Sequence, residues 1–471
     1  MRSVVWFRVQ DLRVSDHGPL SDAVDGGAVL PLFVIDPARF TPERVAARPH
    51  ATQFLVDSLR ALGERLESLG SQLVVVRGRS VEVVPRLADA WRADRVLAQR
   101  RTAPAARARD ARISAALGDR FRLYGGETLC PPGSLRTTAG DPYSVFGAFK
   151  RKLVKQVVVG QPLPAPWELP PVPPDVAAQS EALPTCAELS LDRNAQLLAG
   201  GERAAHARLR RFLEGPIERY PDRRDRLDAE GTSRLSADLA HGTLSPRQAW
   251  VASLEASPAG AAGQRFREQL LWREFAYSTL WDRPEVLEHP FRPAFEGFPW
   301  QGDAGLFDAW REGQTGYPVV DAAANELRES GFVHNRARMI AASFLTKHLL
   351  VDYRRGEAHY LRYLTDGDPP QNNLGWQWSA GCGCDAQPYF RVFNPMTQGE
   401  RFDPEGAYVG RWLPALRALP ARFIHRPWEA PANVLDAAGV RFGQTYPWPV
   451  VDHAFARERF LWTASQHLRA G

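Results

Sequence analysis

The chain has 471 residues, 44% hydrophobic and 24% charged, a globular balance with room for two or three domains. No apolar run is long enough to span a bilayer, and four Cys are too few for a disulfide framework in a chain of this length. The net charge of +5 hints at a polyanionic partner, although only four of the 59 basic residues are Lys (Lys150, Lys152, Lys155, Lys347), an Arg bias that a GC-rich genome also produces.

At the N-terminus, MRSVVWFRVQDLR is charged where a signal peptide needs its apolar segment, so a cytoplasmic protein is expected. Short β-branched runs follow at SVVWF (3–7), VLPLFVI (29–35), LVVV (73–76), RVLA (95–98) and FRLY (121–124). Helical segments such as ATQFLVDSLRALGERLESLG, closed by Gly70, lie between them. The alternation predicts an α/β domain over 1–130, a doubly wound, Rossmann-like parallel sheet. It has neither a Walker A loop nor a strand-linked G-x-G-x-x-G. Residues 160–184 hold eight Pro and read as extended and stiff rather than packed, the centre of a linker over 131–195. From 196 to 471 the periodicity is helical, as in RFREQLLWREFAYSTLWD and FVHNRARMIAASFLTKHLLVDY, which predicts an all-α domain.

The stretch NNLGWQWSAGCGC (372–384) allows a metal clip, a dinucleotide loop or the wall of an aromatic pocket. A structural zinc or iron–sulfur site wants about four ligands, and Cys130 and Cys186 are single and distant. Cys382 and Cys384 therefore read as small buried residues, with no metal. Gly381-Cys-Gly383 fits G-x-G-x-x-A, but inside a helical domain its Gly residues suit a tight turn better. TSRLS (232–236) precedes a helix, and its three hydroxyls, with Arg234 for charge, suit a diphosphate, although taken alone they fit an ordinary N-cap better. HNRARM puts Asn335 and Arg338 on one helical face, and DGD (366–368) offers carboxylates or a plain turn.

Taken together, RYPDRRDRLDAEGTSRLS, QLLWREF, EGQTGYPVVDAA, HNRARM, DGD…NNLGWQW and PYFRVFNPMTQGERFDPEGAYVGRW, with WFRVQDLRVSD near the start, resemble the DNA photolyase/cryptochrome family. The resemblance covers nearly the whole chain and is greatest to the bacterial class I cyclobutane pyrimidine dimer photolyases. It implies an α/β domain, a long linker and a helical domain enclosing FAD. It also implies light-driven splitting of the dimer by an electron lent from reduced FAD and returned. By motif, Tyr220, Thr232, Ser233, Arg234, Leu235 and Ser236 would contact FAD, mainly its phosphates. Asp366, Gly367 and Asp368 would meet its flavin and ribose side, Arg338 would pair with Asp366, and Asn372 would lie beside flavin N5. Trp272 and Trp378 would clasp the flipped dimer. Arg224, Asn335, Arg336, Met339, Arg391 and Gln398 would meet UV-damaged DNA, bound by a monomer. Trp376 and Trp300 match the inner and outer members of a Trp relay.

The chain departs from the family pattern in four places. Tyr353 replaces the middle Trp of the relay, and Tyr is harder to oxidise without losing its proton. Gln269 stands three before Trp272, where the dimer photolyases carry Glu, and Gln cannot carry charge or a proton. That Gln resembles the (6-4) photolyase and animal cryptochrome branch, which makes (6-4) repair and a blue-light photoreceptor the alternatives. The same branch, however, has His where Asn335 and Met339 stand. WFRVQDLR has one residue more than W-F-R-x-D-L-R, which suggests a bulge at the strand end. Ala105-Ala106 replaces the acid of folate-binding relatives, so an antenna chromophore would be a deazaflavin or a flavin rather than folate.

Overall fold

A computed structural model describes every residue of the chain except 258, 259, 387 and 471. The five β-branched runs form strands β1 Arg2–Phe7, β2 Ala28–Ile35, β3 Val74–Arg77, β4 Arg95–Gln99 and β5 Phe121–Tyr124. All pairings are parallel, in the order β3-β2-β1-β4-β5, so the chain winds outward from β1 in both directions. Alternate residues point to opposite faces. Val4, Trp6, Leu30, Leu32 and Val96 enter one core, and Val5, Phe7, Val29, Phe33 and Leu97 the other. Covering both faces makes the strands read as unbroken apolar runs.

Two expectations need correction. The register of β1 on β2 runs from Arg2↔Ala28 to Phe7↔Phe33 without a break, so the extra residue of WFRVQDLR is not a bulge. It lies in the turn that follows, where Asp11 N donates to Arg8 O at 3.3 Å and Arg8 N to Asp11 Oδ1 at 2.5 Å. A bulge would disrupt a strand paired on both sides, whereas a turn costs no ladder bond. The proline-rich segment is extended but packed. Leu169 N donates to Leu69 O at 2.7 Å and Glu181 N to Val75 O at 2.8 Å, and Leu169, Val172 and Val176 are buried. Proline removes only its own N–H, so the apolar residues between prolines remain free to seal the sheet's flank. The helix Phe146–Gln156, which buries Phe146, Phe149 and Leu153, also falls within 131–195.

The chain forms two compact units. One comprises Met1–Glu218, Ser233–Pro284 and Thr365–Pro370, and the other Arg219–Thr232, Glu285–Leu364 and Gln371–Gly471. The first holds the sheet and the helices Glu202–Leu213, Ser236–His241 and Ala261–Asp282. The second is helical, with Val320, Ala323, Leu345, Trp376, Val409 and Phe460 in its core. The segment beginning at HNRARM is helical over Asn335–Ser343 and continues as a π-helix over Phe344–His348. A new helix, Tyr353–Tyr363, then starts because the Asp352 carboxylate caps it by accepting from Arg354 N. Among the described residues, no helix is long and apolar enough to cross a membrane.

Candidate functional site

In the first unit the DGD loop lies just before the helix Pro369–Ala380, whose leading Pro fixes the turn into it. Asp366 and Asp368 are buried. The loop carbonyls face basic side chains, with His241 Nε2 3.1 Å from Thr365 O and Arg48 Nη2 donating to Gly367 O. Asp368 Oδ1 accepts from Tyr277 OH at 3.1 Å, and Tyr277 OH accepts from Arg273 Nη2 at 2.9 Å. Arg273 Nη1 donates onward to Glu127 O at 2.6 Å. This buried chain fixes where the Asp368 carboxylate points.

TSRLS leads into the helix Ser236–His241 with Leu235 at the N-cap, and among the described residues no side chain caps it. The N-cap reading of its hydroxyls therefore fails, because Leu235 has no side-chain acceptor to offer. Arg234 is held at φ 53°, a left-handed conformation uncommon for a residue with a Cβ, which turns the hydroxyl segment sharply. The helix is anchored by Asp238, which accepts from Arg208 Nε at 2.9 Å and Arg208 Nη2 at 2.5 Å.

Sequence reading missed the basic residues near this loop. Arg39 Nε, Arg48 Nε, His241 Nδ1 and Thr365 Oγ1 are buried without a hydrogen-bond partner among the described residues. Burial pushes His241 down to about 3, so it is neutral near pH 7. Burial and the neighbouring Arg48 lower Arg39 to about 9. Unsatisfied cationic and polar atoms of this kind fit the phosphates and polar tail of a bound nucleotide. No motif marks Arg39 or Arg48, because only folding brings the α/β segment against a loop more than 300 residues later in the chain.

In the second unit, Asn372 Nδ2 donates to Glu357 O at 3.1 Å. A carbonyl can only accept, so the amide orientation is fixed and its Oδ1 remains as an acceptor. Asn373 Nδ2 donates to both Glu357 carboxylate oxygens at 3.2 Å and to Val286 O at 3.0 Å. Burial nonetheless pushes the Glu357 carboxyl up to about 7. The folded protein therefore keeps a proton that the unfolded chain releases near pH 4.5, and stability falls as pH rises between the two values. Glu274 (about 7) and Asp321 (about 6) act in the same direction, so the variant difference isolates Glu357. Glu357→Gln should be more stable than the parent at pH 8, by about 3 kcal/mol at most, and indistinguishable from it at pH 4. Urea midpoints at the two pH values check this.

Trp376 is buried, edge-on to Tyr360 at 5.1 Å and to Trp310 at 5.9 Å between ring centroids. A Cβ at Gly356 would stand 2.3 Å from the Trp376 ring, so the helix Tyr353–Tyr363 can approach this Trp only through a glycine. Gly356→Ala should destabilise by about 1–3 kcal/mol through overpacking, opposite to the usual gain from Ala in a helix, which denaturant unfolding reads directly. Trp300 and Tyr353 meet edge to face at 6.4 Å. Among the described residues Tyr353 OH is buried without a hydrogen-bond partner, and burial raises its pKa well above the usual value. A Tyr353 radical cation would thus find no proton acceptor at its hydroxyl. Trp310, Tyr360 and Glu357 carry no sequence motif, and only the fold places them around Asn372 and Trp376.

The proposed lesion and DNA contacts fall in both units. In the first, half-buried Trp272 stacks on Phe146 at 3.8 Å and 13°, with Phe275 edge-on at 5.9 Å. Gln269 shares its helical face, three residues earlier, and its Nε2 reaches Arg265 O at 3.4 Å. In the second, Arg336, Arg391 and Gln398 line one cavity of about 440 Å³ together with Asp225, Asn394 and Arg401. Lys347 Nζ donates to Arg391 O at 2.9 Å. Asn335 is exposed, its Nδ2 3.6 Å from the half-buried Met339 sulfur. Arg338 Nε donates to Val333 O at 2.7 Å, and the Arg224 guanidinium lies 5.6 Å from the buried Tyr220 ring. Trp378 is half-buried on the helix Pro369–Ala380. Beyond it, Gly381 (φ 95°) ends that helix, and Cys382 N and Gly383 N both donate to Gln377 O at 3.1 Å. That is a tight turn, with Cys382 and Cys384 buried.

Residues 3–168 match the family model described as DNA photolyase, and residues 266–466 the one described as the FAD binding domain of DNA photolyase. A deoxyribodipyrimidine photo-lyase of Agrobacterium fabrum is 40% identical, over 97% of this chain and 96% of that protein. The crystal structure of a bacterial class III photolyase from Agrobacterium tumefaciens superposes with a TM-score of 0.92 at 38% identity, covering 99% of this chain and 98% of that one. That neighbour is of class III, so the class I resemblance is not carried further. An archaeal photolyase from Sulfolobus tokodaii, described with two FAD molecules, gives a TM-score of 0.83 at 28% identity, covering 99% of this chain and 100% of that one.

Proposed function

Because the chain belongs to the DNA photolyase/cryptochrome family, we propose that it is a deoxyribodipyrimidine photo-lyase that repairs cyclobutane pyrimidine dimers in DNA under light. The observation that carries the reading is the Asn372 amide, whose orientation is fixed by Glu357 O and whose Oδ1 is left to accept. An acceptor there suits the N5–H of a reduced flavin, the form from which an electron can be lent. FAD, when bound, supplies that electron to the dimer and takes it back. Tyr220, Thr232, Ser233, Arg234, Leu235, Ser236, Arg338, Asp366, Gly367, Asp368 and Asn372 would hold it. Trp272 and Trp378 offer flat faces to a pyrimidine pair that has left its stack. Gln269 can hydrogen-bond the lesion but gives it no proton. Arg224, Arg336, Arg391 and Gln398 hold the strand that carries it, with Asn335 and Met339 beside them.

A second chromophore in the α/β part, a deazaflavin or a flavin, belongs to the same reading. Parallel sheets bind ligands where the strand order reverses, here between β1 and β4. At the end of β4 the buried Gln99 amide has neither atom hydrogen-bonded among the described residues. The absorption spectrum of the purified protein identifies the chromophores.

The test of the main reading is repair. With reduced FAD, the protein should restore a dimer-bearing oligonucleotide in blue light and leave it unchanged in the dark. A (6-4) photoproduct in the same assay should remain. Restoration of the (6-4) lesion alone, or of neither, would overturn the reading, and light-dependent partner binding without repair would replace it with a photoreceptor.

A further inference from the structure

Among the described residues, the cavity of Arg336, Arg391 and Arg401 is lined by one carboxylate, that of Asp225. Asp225 Oδ1 accepts from Arg336 Nη2 at 2.9 Å, and Arg224 Nε lies 3.8 Å from the same oxygen. The Arg336 guanidinium rests over the Phe402 ring at 4.4 Å, with Arg401 at 5.1 Å from that ring. The segment carrying Asp225 is tied to the same place, since Leu227 N donates to Phe402 O at 2.8 Å. His334 Nδ1 accepts from Arg336 N at 3.2 Å and is held down to about 4 by burial, so it adds no charge near neutral pH. Ring and carboxylate together orient Arg336 toward the cavity. The Asp225 side chain is still 35% exposed, so an anion arriving from solvent can displace it.

Carboxylate and phosphate present the same anionic oxygens to a guanidinium fork. We propose that Asp225 is an internal phosphate stand-in, a positioning residue that keeps Arg336 paired until the strand of a lesion-bearing duplex takes its place. This rests on the DNA-repair reading above. Undamaged duplex binds almost wholly through charge. Facing a paired Arg336 and a competing carboxylate, it leaves the pair intact and gains nothing from that arginine. A lesion strand, held also by contacts to the flipped bases, carries a phosphate into the cavity and displaces Asp225. Asp225 thereby widens the difference between damaged and undamaged DNA.

The test is the salt dependence of binding of the FAD-loaded protein to lesion and undamaged duplexes, for the parent, D225N and D225E. In the parent, log K against log salt should be steeper for lesion DNA by about one phosphate, ~0.9 in slope. D225N should raise affinity for undamaged duplex several-fold and close most of that slope gap, while D225E, which keeps the charge, should behave like the parent. The D225N gain should vanish when Arg336 is also changed to Gln. Weaker binding of D225N to both duplexes, or unchanged slopes, would overturn the proposal. Should D225N lose FAD or unfold, a parent slope equal for both duplexes would overturn it as well. A parent with no preference for lesion DNA would instead sink the DNA-repair reading itself.

Discussion

Trp272→Ala is expected to weaken binding of a dimer-bearing oligonucleotide by about 1–3 kcal/mol, the range for losing one base–aromatic stack. The ring is already braced, since Phe146 stacks on one face at 3.8 Å and Phe275 meets it edge-on. A supported indole loses little freedom when the flipped pyrimidine dimer settles on it, so its removal forfeits most of the stacking energy. Undamaged duplex, whose bases stay stacked, should lose far less. Phe146→Ala should act in the same direction but more weakly, because Trp272 remains and loses only its brace. Gel-shift or fluorescence titration of the two duplexes reads both effects, and equal lesion affinity of Trp272→Ala and parent would count against the clasp.

Arg208→Ala should cost about 3–5 kcal/mol of folding stability, the range for leaving one buried charge without its partner. Asp238 is fully buried, and both its oxygens receive Arg208, with Thr243 Oγ1 at 2.9 Å as the other side-chain donor. A loss of that size is a large share of the 5–15 kcal/mol that holds a typical domain together. Burial already raises the Asp238 pKa, so without Arg208 it should rise further and the carboxyl should take up a proton. The destabilisation should therefore shrink as pH falls, and Asp238→Asn should recover part of it. The anchored helix follows directly from TSRLS, so Arg208→Ala should also release FAD at lower denaturant than the parent. Denaturant melts followed by flavin fluorescence and by circular dichroism separate the two losses.

How much of this could be read in advance depended on how local each feature is. The five strands and the helix closed by Gly70 are coded by neighbours a few residues apart, and the apolar periods placed them within a residue or two. The proline-rich segment reads as extended in sequence because Pro fixes φ locally. That it packs depends on Leu69 and Val75, roughly a hundred residues earlier. The extra residue in WFRVQDLR could have been absorbed by bulge or turn, and the unbroken pairing of β1 with β2 decided it.

The candidate site divides along the same line. Chemistry that sits in short motifs, namely the hydroxyls of TSRLS, the carboxylates of DGD, Asn372 and the Trp residues, was set by the sequence alone, because residue type fixes what a side chain can donate, accept or stack on. Which way the Asn372 amide points needed Glu357 O, fifteen residues back. That Trp272 is braced needed Phe146, and that Arg336 is already paired needed Asp225. Burial, pairing and protonation depend on neighbours brought together from distant positions. The sequence therefore determined which groups are available to this protein, and the tertiary structure decided which of them are oriented, neutralised or left free to act.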